Sequence, residues 1–104
     1  MVKNKDLEVV RIFKEKVSQT IPVDKIYLFG SRAKGKTHEF SDYDLIIISK
    51  KFKGVASRYR PLGFYKYWDS SAPFDFLCYT PEEFKKLRKQ STFISEAVKE
   101  RVEV

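Results

Sequence analysis

Residues 28–48 read LFGSRAKGKTHEFSDYDLIII, and the fold turns on how this stretch is parsed. Positions 30–37, GSRAKGKT, satisfy the phosphate-binding P-loop pattern G-x-x-x-x-G-K-[ST] letter for letter. A P-loop, however, needs a helix after its Thr long enough to return the chain to a parallel strand. Only His38, Glu39, Phe40 and Ser41 stand between Thr37 and Asp42, one turn or about 6 Å of helix, which cannot make that crossover. The acidic residue of the second P-loop element ends its strand, whereas Asp42 and Asp44 begin one. The P-loop reading therefore fails. What remains is Gly30-Ser31, ten intervening residues, Asp42-Tyr43-Asp44 and an apolar run rich in β-branched residues. Two positions apart on a strand, Asp42 and Asp44 point the same way, with alpha carbons about 6.6 Å apart. Tyr43 then faces the opposite side, where packing is its default role.

Around this centre the elements alternate. Upstream, Leu7, Val10, Phe13 and Val17 form the apolar stripe of a helix that Ile21-Pro22 closes. KIYLFG over 25–30 is a short buried strand, and 31–41 is a loop or at most a helical turn or two. The spacing over 42–49 predicts the central strand of a sheet. Between 50 and 72, Gly54, Pro61 and Gly63 punctuate the chain while Tyr59, Leu62, Tyr65 and Trp68 suggest a helical stripe; a loop and then a helix are expected. PFDFLCYT over 73–80 alternates as a strand, with Phe74, Phe76 and Cys78 on one face and Asp75, Leu77 and Tyr79 on the other. Thr80-Pro81-Glu82-Glu83 is a capping box with proline at the first helical position. The helix it starts buries Phe84 and Leu87, and Ser91 caps a last helix whose inward residues are Phe93, Ile94, Ala97 and Val98. The expected fold is α+β: one domain over 1–104, a small mixed β-sheet with helices packed on it.

The chain has 104 residues, 34% charged and 42% hydrophobic, which excludes disorder and collagen-like repeats. No apolar run approaches the ~20 residues of a membrane span, and the start lacks the apolar region of a signal peptide, so a cytoplasmic location is expected. The single Cys78, between apolar neighbours, reads as a buried, inert thiol. A net charge of +7 favours anionic partners such as nucleotide triphosphates. The lysine-rich SKKFKG at 49–54 is either a solvated loop or a phosphate-attracting rim.

LFGSRAKGKTHEFSDYDLIII resembles the signature of the DNA polymerase-β-like nucleotidyltransferase superfamily, and the chain's length is similar to that of its minimal (MNT) proteins. The G-S-x10-D-x-D pattern matches without a gap; at roughly 5–7% usage per letter, chance would supply it in about one chain of this length in a thousand. The resemblance is strong over 26–48, reasonable at Asp75 and weak elsewhere. Asp75 leads a second strand, and neighbouring strands lie about 4.8 Å apart, so its carboxylate can join the first two. Such a cluster repels itself unless cations sit between the carboxylates, and an all-oxygen donor set suits Mg2+ or Mn2+. The resemblance implies that Gly30 and Ser31 hold the β- and γ-phosphates of ATP or another nucleotide triphosphate, with Arg32, Lys34 and Lys36 as neutralising cations. It implies that Asp42 and Asp44 bind two metal ions, and that Asp75 binds one and activates an acceptor hydroxyl. Asp69, in a turn-like DSSAP stretch, is the competing third carboxylate; His38 is a lone loop histidine whose default is no catalytic role.

The implied reaction moves a nucleoside monophosphate, AMP from ATP, to a hydroxyl and releases pyrophosphate. Larger relatives add a domain to hold the acceptor; here a partner or a second copy must supply that surface. Minimal proteins of this group are commonly paired with a HEPN protein, and in some pairs the nucleotidyltransferase is an antitoxin that attaches AMP to a tyrosine of the HEPN toxin, a type VII-like system. Tyr59, Phe64, Tyr65, Tyr67, Trp68, Phe74 and Phe76 are either core, the usual fate of such residues, or a docking surface. The alternatives are transfer to a small molecule such as an aminoglycoside, and a non-catalytic antitoxin or nucleic-acid-binding module. Base-stacking motifs of common RNA modules are absent.

Overall fold

A computed structural model describes residues 1–36 and 41–104. The order is α1 (Asn4–Ser18), β1 (Lys25–Phe29), α2 (Gly30–Lys34), β2 (Tyr43–Ile48), 3-10 segments at Lys50–Phe52 and Ser57–Tyr67, β3 (Phe74–Tyr79), α3 (Pro81–Gln90), α4 (Thr92–Lys99) and β4 (Val102–Glu103). The four strands form one mixed sheet in the order β3-β2-β1-β4. β1 is antiparallel to both β2 and β4, and β2 is parallel to β3. The antiparallel β1–β2 pair is incompatible with a P-loop crossover. The expected α+β architecture is the one observed.

Each face of the sheet buries its own helices. On one side Ile26, Leu28, Leu45, Ile47, Phe76 and Cys78 pack against Val10, Phe13 and Val17 of α1 and against Phe52 and Phe64. On the other, Tyr27, Phe29, Ile46 and Ile48 meet Phe84 of α3 and Ile94 and Val98 of α4. Strands covered on both faces explain the near-continuous apolar run 45–48. Cys78 is buried, and burial pushes its thiol up to about 12, as expected of an inert cysteine. Among the described residues no helix is long and apolar enough to cross a membrane.

Several expectations need correction. The buried stripe of α1 is Asp6, Val10, Phe13 and Val17, with Asp6 taking the place assigned to Leu7. The helical turn or two allowed over 31–41 is present as α2, one residue earlier, and Gly35 closes it in the left-handed conformation (φ 79°); Met1 packs so closely over Gly35 that a β-carbon there has no room. Residues 57–67 wind as 3-10 turns instead of an α-helix, because Pro61 lacks an N–H and disrupts the α ladder. They bury Arg60 and Phe64, not the expected stripe, leaving Tyr59, Leu62 and Tyr65 about half exposed at 54%, 54% and 46%. Phe64 and Phe76 belong to the core, and the half-buried Trp68 and Phe74 pack against it. In α4, Ile94 and Val98 are buried as expected, but Phe93 is 60% exposed. The edge strand β4, two residues long, was not anticipated.

The signals that served best were the caps. Thr80 accepts from the Glu83 amide while the Glu83 carboxylate accepts from the Thr80 amide, and Ser91 accepts from the Ile94 amide. Glu83 also grips Arg60, with bonds of 2.5 and 3.0 Å, and Arg60 reaches the carbonyls of Val55 (2.8 Å) and Cys78 (3.1 Å). That one guanidinium fastens the 3-10 segment to β3 and α3.

Candidate active site

The topology gathers three chain segments at one end of the sheet. β1 ends there at Phe29, β2 starts there at Tyr43 and β3 starts there at Phe74. Phe29 is paired with Asp44, and Asp44 with Asp75. Directly opposed residues share a face of the sheet, so Asp44 and Asp75 project together on the side covered by α3 and α4. The Tyr43 amide donates to the Pro73 carbonyl at 2.9 Å, which locks the two strand starts together. Asp42 lies one residue ahead of β2 and not on the strand itself.

Gly30 completes the rim. Its φ of 75° is a conformation that side chains rarely adopt, and a β-carbon there would come within 2.5 Å of Asp44 Oδ2. The carboxylate of Asp44 thus sits directly over the turn from β1 into α2, which only glycine permits. Phe29 is the N-cap of α2 and makes no side-chain capping hydrogen bond. Burial, then the charges of Asp42 and Asp75, raise the pKa of Asp44. None of the ion pairs among the described residues involves Asp42, Asp44 or Asp75.

The candidate phosphate ligands divide. Ser31 is half-buried beside Gly30 and Lys34 is exposed, its ammonium 3.0 Å from Glu100. Arg32, expected to meet a triphosphate, is instead 3% exposed and turned into the core. Its Nη1 donates to Asp6 Oδ1 at 2.8 Å, its Nε and Nη2 both donate to the Ser41 carbonyl at 3.0 and 2.7 Å, and it lies 4.0 Å over the Tyr43 ring. The Tyr43 hydroxyl donates to the same Asp6 oxygen at 2.9 Å. Ser41 and Tyr43 bracket Asp42, so Arg32 and Asp6 hold both flanks of that carboxylate from inside. Burial against Asp6 raises the Tyr43 hydroxyl to about 12, which keeps it a donor.

Asp6 was missed by sequence reasoning, although one signal was available: position 6 falls on the same helical stripe as Val10, Phe13 and Val17. An acid on a buried stripe calls for a buried cation. Asp69, the competing third carboxylate, pairs with Lys16 of α1 on the other face. Lys50 and Lys51 follow the far end of β2, so the lysine-rich stretch does not rim this site. Lys36 is exposed beyond the Gly35 cap; His38 lies outside the described residues.

Among the described residues no three His, Cys, Asp or Glu side chains are gathered tightly enough to form a finished metal site. The donor chemistry nevertheless fits a hard divalent cation: all oxygen, with no ion pair among the described residues, and with burial first and then the neighbouring charges raising the pKa of Asp44.

Comparison with known proteins places this arrangement. A Haemophilus influenzae protein, MntA, assigned as a protein adenylyltransferase, is 32% identical over 101 residues, covering 94% of this chain and 86% of its own. A Sulfolobus solfataricus protein whose crystal structure is described as that of a nucleotidyltransferase superposes with a TM-score of 0.57 at 22% identity, over 83% of this chain and 82% of its own, a likeness of fold. The family model for the nucleotidyltransferase domain matches residues 8–104, from the middle of α1 through β4. The chain belongs to the nucleotidyltransferase domain family, whose enzymes take a nucleotide triphosphate.

Proposed function

We propose that the protein is a metal-dependent protein adenylyltransferase that moves AMP from ATP to a hydroxyl of a partner protein. The observation that carries the transfer chemistry is Asp44, seated over Gly30 and opposite Asp75 with no cation paired to it among the described residues. The choice of a protein acceptor is supported by the likeness to MntA.

In this reading Gly30 and Ser31 hold the β- and γ-phosphates, the glycine by letting backbone approach and the serine through its hydroxyl and amide. Asp42 and Asp44 hold two divalent cations, Mg2+ or Mn2+, and Asp75 shares one. Such ions, when bound, offset the triphosphate charge and steady both the attacking and the leaving oxygen. Asp75 takes the proton of the acceptor hydroxyl as its oxygen bonds to the α-phosphorus, and the bond to the bridging oxygen breaks to release pyrophosphate. Arg32, Asp6 and Tyr43 touch neither substrate; they position Asp42 and the turn. By family resemblance the acceptor is a tyrosine of a HEPN toxin, which makes the protein an antitoxin.

The test is incubation of the full chain with Mg2+ and α-labelled ATP, with and without the product of the adjacent gene. Label on the partner that vanishes with Asp42→Ala supports the reading. Equal labelling by Asp42→Ala removes the proposed site, and label on a small molecule with no partner present moves the reading to that acceptor.

A further inference from the structure

On the same face as Asp44, a groove of about 560 Å3 runs between α2 and α4, from Phe29 and Gly30 to Phe93, with Lys34, Glu96 and Glu100 on its rim. Its volume is within the ~300–1,000 Å3 of small-ligand sites. Phe93 is its most unusual wall: 60% exposed, while Ile94 and Val98 of the same helix are buried at 2% and 9%. Its ring stands edge-on to Phe29, at 6.1 Å and 85°. Phe29 is the residue paired with Asp44. Phe93 is therefore one aromatic ring away from the carboxylate rim, and it lines the groove while 60% exposed.

The charges of the groove argue about its occupant. Lys34 pairs with Glu100 and Lys99 with Glu96, each at 3.0 Å. Cations already paired with carboxylates make a near-neutral wall, poor for phosphates but suited to an uncharged ring with donors around its edge. We propose that this groove holds the nucleoside of the donor nucleotide, the base stacking on Phe93 and the rim carboxylates accepting hydrogen bonds from sugar hydroxyls or ring amines. The inference rests on the nucleotidyl-transfer reading above and adds to it a place for the base. Continuity supports it: the groove starts at Gly30, where that reading puts the phosphates, so a single nucleotide spans from the turn to α4.

Because Phe93 is largely exposed, Phe93→Ala is expected to melt like the parent, and binding can be compared directly. Affinity for ATP with Mg2+ and for inorganic tripolyphosphate with Mg2+ is measured by calorimetry on the parent, Phe93→Ala and Phe93→Trp. Loss of one base-stacking contact is expected to weaken ATP roughly tenfold in Phe93→Ala. Tripolyphosphate binding should stay unchanged, and Phe93→Trp should restore ATP binding. Equal ATP affinity in parent and Phe93→Ala overturns the inference while leaving the transfer reading standing. So does a matched loss of ATP and tripolyphosphate, which would place Phe93 beside the phosphates. A parent that binds neither ligand overturns both readings.

Discussion

Asp6 and Asp44 lie near the same end of the sheet, on its two sides, and their surroundings are opposite. Asp6 is fully buried, yet one of its oxygens receives Arg32 and the Tyr43 hydroxyl. Asp44 is only partly buried but faces two further carboxylates, and burial, then those charges, raise its pKa. A buried charge that folds with its own counter-charge serves architecture; a charge left among like charges awaits something from outside. This difference separates the fold's own acid from the acids proposed for the reaction more clearly than residue type does.

The sharpest way to break the comparison is to neutralise one acid of each kind. Asp44→Asn should lower nucleotidyl transfer at least about a hundredfold, since ligand-shell groups of metal sites matter on that scale. The thermal midpoint of the metal-free protein should hold or rise, because a repulsion has gone. A lowered midpoint there would show Asp44 to be a structural acid after all. Asp6→Ala should do the reverse to stability, removing about 3–5 kcal/mol by leaving the buried Arg32 guanidinium without the counter-charge of Asp6. Urea titration checks it, and a loss below about 1 kcal/mol, the worth of an ordinary hydrogen bond, would sink the role given to Asp6. Tyr43→Phe keeps the ring under Arg32 and deletes one bond to Asp6, so a loss of about 1 kcal/mol is expected by the same measurement.

Glu83 supplies a pH test of the compensated class. Its bonds from Arg60 lower its carboxyl from 4.5 to about 2. A depressed folded-state pKa adds stability above the unfolded value, and that stability is lost as pH falls. Acid unfolding of the parent should therefore steepen between pH 4.5 and about 2, and Glu83→Gln should flatten this interval. The smallest effect belongs to Asp69→Asn. An exposed pair such as Lys16–Asp69 is worth about 0–1 kcal/mol, and activity should stay at the parent level while Asp75→Asn loses it.

What could be read from the sequence was whatever depended on local spacing. The turn at Gly30, the strand after Asp42, the alternation that gives Asp75 and Phe76 opposite faces, and the caps at Thr80 and Ser91 are all set within a few residues of themselves. What escaped depends on distant partners. Arg32 looks like a phosphate ligand until α1 brings Asp6 against it, 26 positions away. Arg60 and Phe64 replaced the expected aromatic stripe because Pro61 changed the winding and Glu83 offered an anchor. Phe93 carries the composition of a core residue in a helix whose buried face is already filled by Ile94 and Val98.

The parallel pairing of β2 with β3 carries a kinetic consequence. Asp44 and Asp75 are register partners separated by 31 positions of chain, and contacts so distant in sequence form only after loop-closure entropy has been met. The antiparallel β1–β2 turn can assemble earlier, bringing Gly30 to Asp44. A partly folded chain, during synthesis or after damage, could then hold a nucleotide's phosphates without owning the third acid. On the proposed reading, the third acid arrives last, with the docking of β3, and competence to transfer waits for it.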